Sequence, residues 1–119
     1  MSRALIVDDD YDIRMLVRIR MEQDDVEVVG EAATGAEGVR QWRATRPDVV
    51  ILDHLLPDMT GMEVAQSILG EQPSQAIVVF SAFTEADELR SATAAGVRAV
   101  IGKSNLGSLA TAVRRCLPC

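Results

Sequence analysis

Five short runs of nearly unbroken apolar, mostly β-branched residues recur about every 25 residues along this chain: RALIV (3–7), VEVVGEA (26–32), DVVILD (48–53), QAIVVFS (75–81) and VRAVIG (97–102). A strand with one wet face alternates apolar and polar side chains, whereas a strand covered on both faces reads as a continuous apolar run. Between the runs the apolar spacing changes to that of helices. Ile13, Leu16, Val17 and Met21 share one helical stripe, and Leu106, Leu109, Ala110, Val113 and Leu117 share another. Thr34-Gly-Ala-Glu37 and Thr60-Gly-Met-Glu63 have the hydroxyl and acid spacing that satisfies orphan amides at a helix start, which predicts helices from near 35 and near 61. Strand and helix alternating in this way build an α/β fold, a doubly wound (βα)5 parallel sheet with helices on both faces.

The chain has 119 residues and no linker, low-complexity tract or further repeat, so one domain spanning 1–119 is expected, with a core large enough to need no disulfide or structural metal. No apolar run approaches the roughly 20 residues of a membrane span. Twelve basic against eighteen acidic side chains give a net charge of -6, which argues against direct nucleic-acid binding. The opening Met1-Ser2-Arg3 leads straight into a strand pattern without the features of a secretory signal, so a cytoplasmic location is expected.

In a sheet of this kind ligands bind beyond the carboxyl ends of the strands, where strand order reverses. Asp8 and Asp9 follow the first strand, Asp53 closes the third, Ser81 closes the fourth and Lys103 lies just past the fifth. These five side chains are expected to meet at one edge. Two like charges about 4 Å apart repel by on the order of 4 kcal/mol at an effective dielectric near 20, so ionised Asp8, Asp9 and Asp53 must share protons or hold a cation. An all-oxygen site with few protein ligands suits Mg²⁺, which keeps several waters and is commonly completed by phosphate oxygens. With a cation in place the set reads as phosphoryl chemistry: Asp53 as nucleophile, Lys103 as a fixed positive charge and Ser81 as a hydroxyl donor. Asp10 and Asp12 fall in the first turn of a helix, where capping and the helix dipole account for them.

Taken together, Asp8-Asp9, Asp53 within LDHLLPDMTGMEV, Ser81-Ala82 and Lys103, set on five βα repeats, resemble a response-regulator receiver domain over essentially the whole chain. VEVVGEAATGAEGV and VIGKSNLGSLATAVRRCL resemble the NarL-like branch, whose receivers usually precede a helix-turn-helix DNA-binding domain. The resemblance implies a flavodoxin-like three-layer sandwich with strand order 2-1-3-4-5. It makes Asp8, Asp9, Asp53 and the Leu55 backbone carbonyl the Mg²⁺ ligands, and Asp53 the acceptor of a phosphoryl group from a sensor histidine kinase. Ser81 and Lys103 then contact the phosphoryl oxygens, and the surface of the fourth helix, fifth strand and fifth helix is remodelled. The implied product is a signalling switch and not an enzyme acting on a released metabolite. Two other readings of the residues stay open. Asp8-x-Asp10 is similar to the paired acids of haloacid-dehalogenase-like phosphohydrolases, although Asp12 stands where that family has a hydroxyl. A pseudo-receiver would use the fold as a binding module without phosphorylation.

The chain departs from the family pattern in four respects. Val100 replaces the aromatic three residues before the lysine, with Phe83 as a substitute candidate. Ser104 replaces the proline after the lysine, which predicts a looser loop at 103–105. His54 follows the acceptor and is expected to point to the opposite face of the strand. Leu55 and Phe83 flank the site where other receivers carry polar residues, which predicts slow attack by water and a long-lived phosphoryl group. Met15 and Ile19 on the first helix, with Ala112 and Cys116 on the last, form either a wide buried stripe or a homodimer face. Cys116 and Cys119 have the spacing of a dithiol, but they end a helix instead of starting one, and His54 is the only histidine available to complete a zinc site.

Overall fold

A computed structural model of the chain describes residues 1–82 and 93–117. Within them, β1 (Ser2–Val7), β2 (Val26–Ala32), β3 (Val49–Leu52), β4 (Ala76–Ser81) and β5 (Ala99–Gly102) alternate with helices. The helices are α1 (Tyr11–Gln23), α2 (Gly35–Thr45), α3 (Gly61–Glu71) and α4 (Leu106–Cys116), the last belonging to the fifth βα unit. The strands form one parallel sheet in the order β2-β1-β3-β4-β5, as the resemblance implied. Phe83, part of the stretch after β4 and Cys119 lie outside the described residues.

The unbroken apolar runs are explained by two cores, one on each face. Successive residues of a strand point to opposite sides, so Ala4, Ile6, Val49, Ile51, Ala76, Val78 and Phe80 meet Val17 and Met21 of α1 and Leu109, Ala110 and Val113 of α4. Their neighbours Leu5, Val7, Val50, Leu52, Ile77 and Val79 meet Trp42 of α2 and Val64, Ala65 and Ile68 of α3. Each large side chain so covered contributes about 1.5–3 kcal/mol relative to exposure. The Trp42 indole N–H is not lost in this apolar layer, because it donates to Gln75 Oε1 at 2.9 Å.

Helix starts fall where the capping spacing placed them. Thr34 Oγ1 and Thr60 Oγ1 accept from the amides of Glu37 and Glu63, each at 3.2 Å. The Glu37 carboxylate accepts from Gln41 Nε2 one turn on, at 2.8 Å. Asp10 caps α1, its Oδ1 accepting from the Asp12 and Ile13 amides at 2.9 and 3.3 Å. One helical expectation is corrected: of the α1 stripe Val17 and Met21 are buried, but Leu16 is 51% exposed. It sits on the outward edge beside Ile19, which is 48% exposed.

Candidate functional site

The sheet register brings the strand-end residues together. Val7 pairs with Leu52, so Asp8 and Asp53 leave adjacent strands at the same level, and the ladder continues through the Asp53 amide, which donates to Val7 O at 2.8 Å. Ser81 pairs with Gly102, and the Lys103 amide donates to Ser81 O at 2.8 Å, which fixes the lysine one step beyond the neighbouring pair of strand ends. β1 and β3 are also where the chain reverses its direction of travel across the sheet, the place where doubly wound folds open a crevice.

At that crevice one carboxylate oxygen from each of Asp8, Asp9 and Asp53 lies within 4.8 Å of the others. Lys103 Nζ reaches Asp8 Oδ2 at 2.9 Å and Asp53 Oδ1 at 3.3 Å. Asp9, Asp53, His54, Leu55, Ser81, Ala82 and Lys103 line a cavity of about 240 Å³ there. All five side chains expected at one edge are therefore at one edge. A larger groove of about 740 Å³ along β5 and α4 includes Arg98, Ile101, Ser108 and Arg115 and shares no residue with the acidic cavity.

Burial sets the electrostatics. Asp8 and Asp53 are almost fully covered, whereas Asp9 is exposed. Desolvation and the neighbouring Asp8 charge push the Asp53 carboxyl up to about 6, against the pull of Lys103. Burial weakens the Lys103 ammonium, but its bonds to Asp8 and Asp53 outweigh that, and its proton is held more tightly than in water. Three carboxylates around one ammonium leave an excess of negative charge that a divalent cation offsets, and their oxygen-only donors match Mg²⁺. The donor set therefore fits that ion.

Several residues that support the site carry no obvious mark in the sequence. Asp8 Oδ1 accepts from the Asp10 amide at 2.9 Å, and Arg14 donates to the Asp8 carbonyl at 2.7 Å. Arg14 and Arg18 both pair with Glu31 of β2, at 3.3 and 2.5 Å, which ties the acidic turn to the sheet edge. Gly61 lies so close to Asp53 that a Cβ there would stand 2.2 Å from Asp53 O, and its amide donates to His54 O at 2.6 Å. A glycine after the capping threonine was the only trace of this contact. His54 follows Asp53 beyond the end of β3 at Leu52 and is among the residues lining the cavity, where its carbonyl accepts from the Gly61 amide. Val100 is half-buried and packs against the α2 and α3 core. In the loop after β5 the Asn105 amide donates to Gly102 O at 2.9 Å, and Asn105 caps α4. Asp10 caps α1 through its Oδ1 and is not one of the three acids whose oxygens gather at the cavity, which are Asp8, Asp9 and Asp53. Cys116 is a free thiol, and burial raises its pKa despite Arg98 nearby, the opposite of a reactive dithiol.

Comparison with known proteins agrees with this geometry. The family model of the response regulator receiver domain matches residues 4–114. The transcriptional regulatory protein LiaR of Bacillus subtilis is 34% identical over 116 residues, covering 96% of this chain and 55% of that protein. An uncharacterized transcriptional regulatory protein of the same organism, YhcZ, is 35% identical over 98 residues, 82% of this chain and 46% of its own length. The chain thus spans about half the length of these relatives. The signal receiver domain of the Mycobacterium tuberculosis response regulator NarL superposes with a TM-score of 0.90 at 29% identity, covering 97% of this chain and 94% of that one. Fold, strand-end residues and family match converge, and the chain belongs to the response regulator receiver domain family, in its NarL-like branch.

Proposed function

We propose that this domain is a phospho-acceptor switch in which Asp53 takes a phosphoryl group from a sensor histidine kinase. The observation that carries the reading is the convergence of Asp8, Asp9 and Asp53 within 4.8 Å, with Lys103 bonded to two of them. An oxygen of the ionised Asp53 carboxylate forms a bond to phosphorus while the bond from phosphorus to the histidine nitrogen breaks, giving an acyl phosphate. No base is required, because the nucleophile carries no proton once ionised. Asp8, Asp9, Asp53 and the Leu55 carbonyl hold Mg²⁺, which when bound offsets charge on the transferring group. Lys103 exchanges its bond to Asp53 for the phosphoryl oxygens, and Ser81 donates to them. The group added brings about -1.5 to -2 charge and three acceptor oxygens, enough to bias two packings that differ by a few kcal/mol.

Residues 1–119 act here as one domain, and transcriptional regulators among the relatives support a C-terminal helix-turn-helix output domain that binds DNA in its place. A cytoplasmic site of action fits these partners, and among the described residues no helix is long and apolar enough to cross a membrane. Of the face formed by Met15, Ile19, Ala112 and Cys116, Ala112 and Cys116 pack against the core while Ile19 is exposed and supports a second copy of the chain as a further partner; a monomer on gel filtration with and without beryllofluoride removes that element. The central test is incubation with Mg²⁺ and acetyl phosphate followed by intact mass. An adduct of about 80 Da that is lost in Asp53→Ala supports the switch; no adduct on the parent chain favours a pseudo-receiver.

A further inference from the structure

The loop from β3 to α3 brings Leu55 to the lining of the acidic cavity, yet its outer part is poorly packed: Leu55, Pro57 and Asp58 are all exposed. Main-chain contacts close its base. Leu55 and Thr60 form an isolated antiparallel bridge, the Leu56 amide donates to Met59 O at 3.1 Å, and the Gly61 amide donates to His54 O at 2.6 Å. What anchors the tip is a different element, 22 and 23 residues away in sequence. Asp58 Oδ1 accepts from the Gly35 amide at 2.7 Å and Oδ2 accepts from the Ala36 amide at 3.0 Å. Both oxygens of one exposed carboxylate are thus spent on the first two amides of α2, donors that no carbonyl of the helix can reach. Thr34 satisfies the Glu37 amide, so the two caps divide the helix start between them.

The rest of the contact is shaped to the same end. A Cβ at Gly35 would stand 2.4 Å from Met59 Cγ, so the absence of a side chain there lets Met59 lie directly on the helix start. The positive end of the α2 dipole favours the Asp58 charge, and the two amide bonds hold its carboxyl below the ordinary range. We propose that Asp58 is a positioning residue: by clamping the loop tip onto the N-terminus of α2 it holds the Leu55 carbonyl at the cavity lined by Asp9 and Asp53, and so sets the affinity of the site for Mg²⁺. The proposal rests on the reading of Asp8, Asp9, Asp53 and Leu55 as the cation ligands.

Its test is titration of the chain with Mg²⁺ alone, followed by calorimetry, for the parent, Asp58→Ala, Asp58→Asn and Glu71→Ala. Glu71 pairs with Arg43 at 2.7 Å and joins α2 to α3 without touching the loop, so it controls for general loosening of α2. Removing a partner that orients a metal ligand weakens binding by on the order of tenfold, and that is the loss expected in Asp58→Ala. Asp58→Asn, which keeps one neutral acceptor in a side chain of the same size, falls between it and the parent and serves in place of alanine should that variant fail to fold. Phosphorylation by acetyl phosphate at saturating Mg²⁺ recovers in both, because Asp58 touches no reacting atom. Unchanged Mg²⁺ affinity in the Asp58 variants overturns the clamp, as does an equal loss in Glu71→Ala. A parent chain that binds no Mg²⁺ overturns the ligand reading itself, and the clamp with it.

Discussion

Replacing Asp53 by asparagine keeps the shape of the side chain and removes its charge, and in the absence of Mg²⁺ the structure predicts that this stabilises the fold. Asp53 is 6% exposed, faces the Asp8 carboxylate, and releases its proton at about 6 instead of the ordinary 3.8. That difference means the charged form is disfavoured in the folded chain by about 3 kcal/mol. Below 3.8 the group is protonated whether folded or unfolded and no penalty applies. Between 3.8 and about 6 the folded chain keeps a proton that the unfolded chain has released, so stability falls as pH rises; above that window the penalty is complete. The neutral amide of Asp53→Asn carries none of it, and because the value of about 6 already includes the pull of Lys103, the net gain expected above pH 6.5 is about 3 kcal/mol. For a chain of this size that corresponds to a rise in Tm of about 3–5 °C per kcal/mol. Urea denaturation in EDTA from pH 4 to pH 8 reads the effect directly. The advantage of Asp53→Asn should be near zero at the acid end and grow to a plateau above pH 6.5. Mg²⁺ at about 100 times its dissociation constant should stabilise the parent by about 2.7 kcal/mol and close the gap. A variant no more stable than the parent at pH 7.5, or an advantage that does not change with pH, refutes the reasoning.

Lys103→Met removes the cation that holds down the Asp53 carboxyl, so its titration, followed by carbon NMR of the labelled carboxylate, should move above 6; an unmoved midpoint contradicts the assigned ion pair. Gly61→Ala places a methyl 2.2 Å from Asp53 O and should destabilise the chain by about 1–3 kcal/mol in denaturation while slowing phosphorylation of Asp53. Trp42→Phe leaves Gln75 Oε1 without its indole donor inside the core and should cost about 1–3 kcal/mol with no change in Mg²⁺ affinity. Leu55→Asn puts a polar group beside the acceptor and should shorten the phosphoryl lifetime severalfold, measured by loss of the adduct after the donor is removed; an equal lifetime dismisses the apolar shield.

The parts legible in the sequence are those whose cause is local or repeats with the period of an element. Parallel strands covered on both faces had to be apolar throughout, and alternate residues of RALIV divide between the two cores as that requires. The placement of the polar residues was legible for a related reason: Asp8, Asp53 and Lys103 each stand directly after a strand and Ser81 ends one, and parallel register carries neighbouring strand ends to one level, as Val7 opposite Leu52 carries Asp8 to Asp53. What resisted reading depends on where one element ends against another. His54 lies past Leu52, where the strand stops, and its carbonyl accepts from the Gly61 amide across the loop, a contact that no strand pattern encodes. Leu16 belongs to a helical stripe by spacing, but α1 leaves its outer edge uncovered at that turn. Asp58 reads as an ordinary turn acid after Pro57; its partners are amides of Gly35 and Ala36, and a backbone donor has no letter in the sequence. The same holds for Gly61, whose missing side chain matters only because the Asp53 carbonyl lies beside it. The acidic cluster could therefore be named from its residue types, while the scaffold that holds it, built from backbone contacts between loops and helix ends, became visible only in three dimensions. Substitutions in that scaffold should alter how tightly the site holds its cation before they alter what it does.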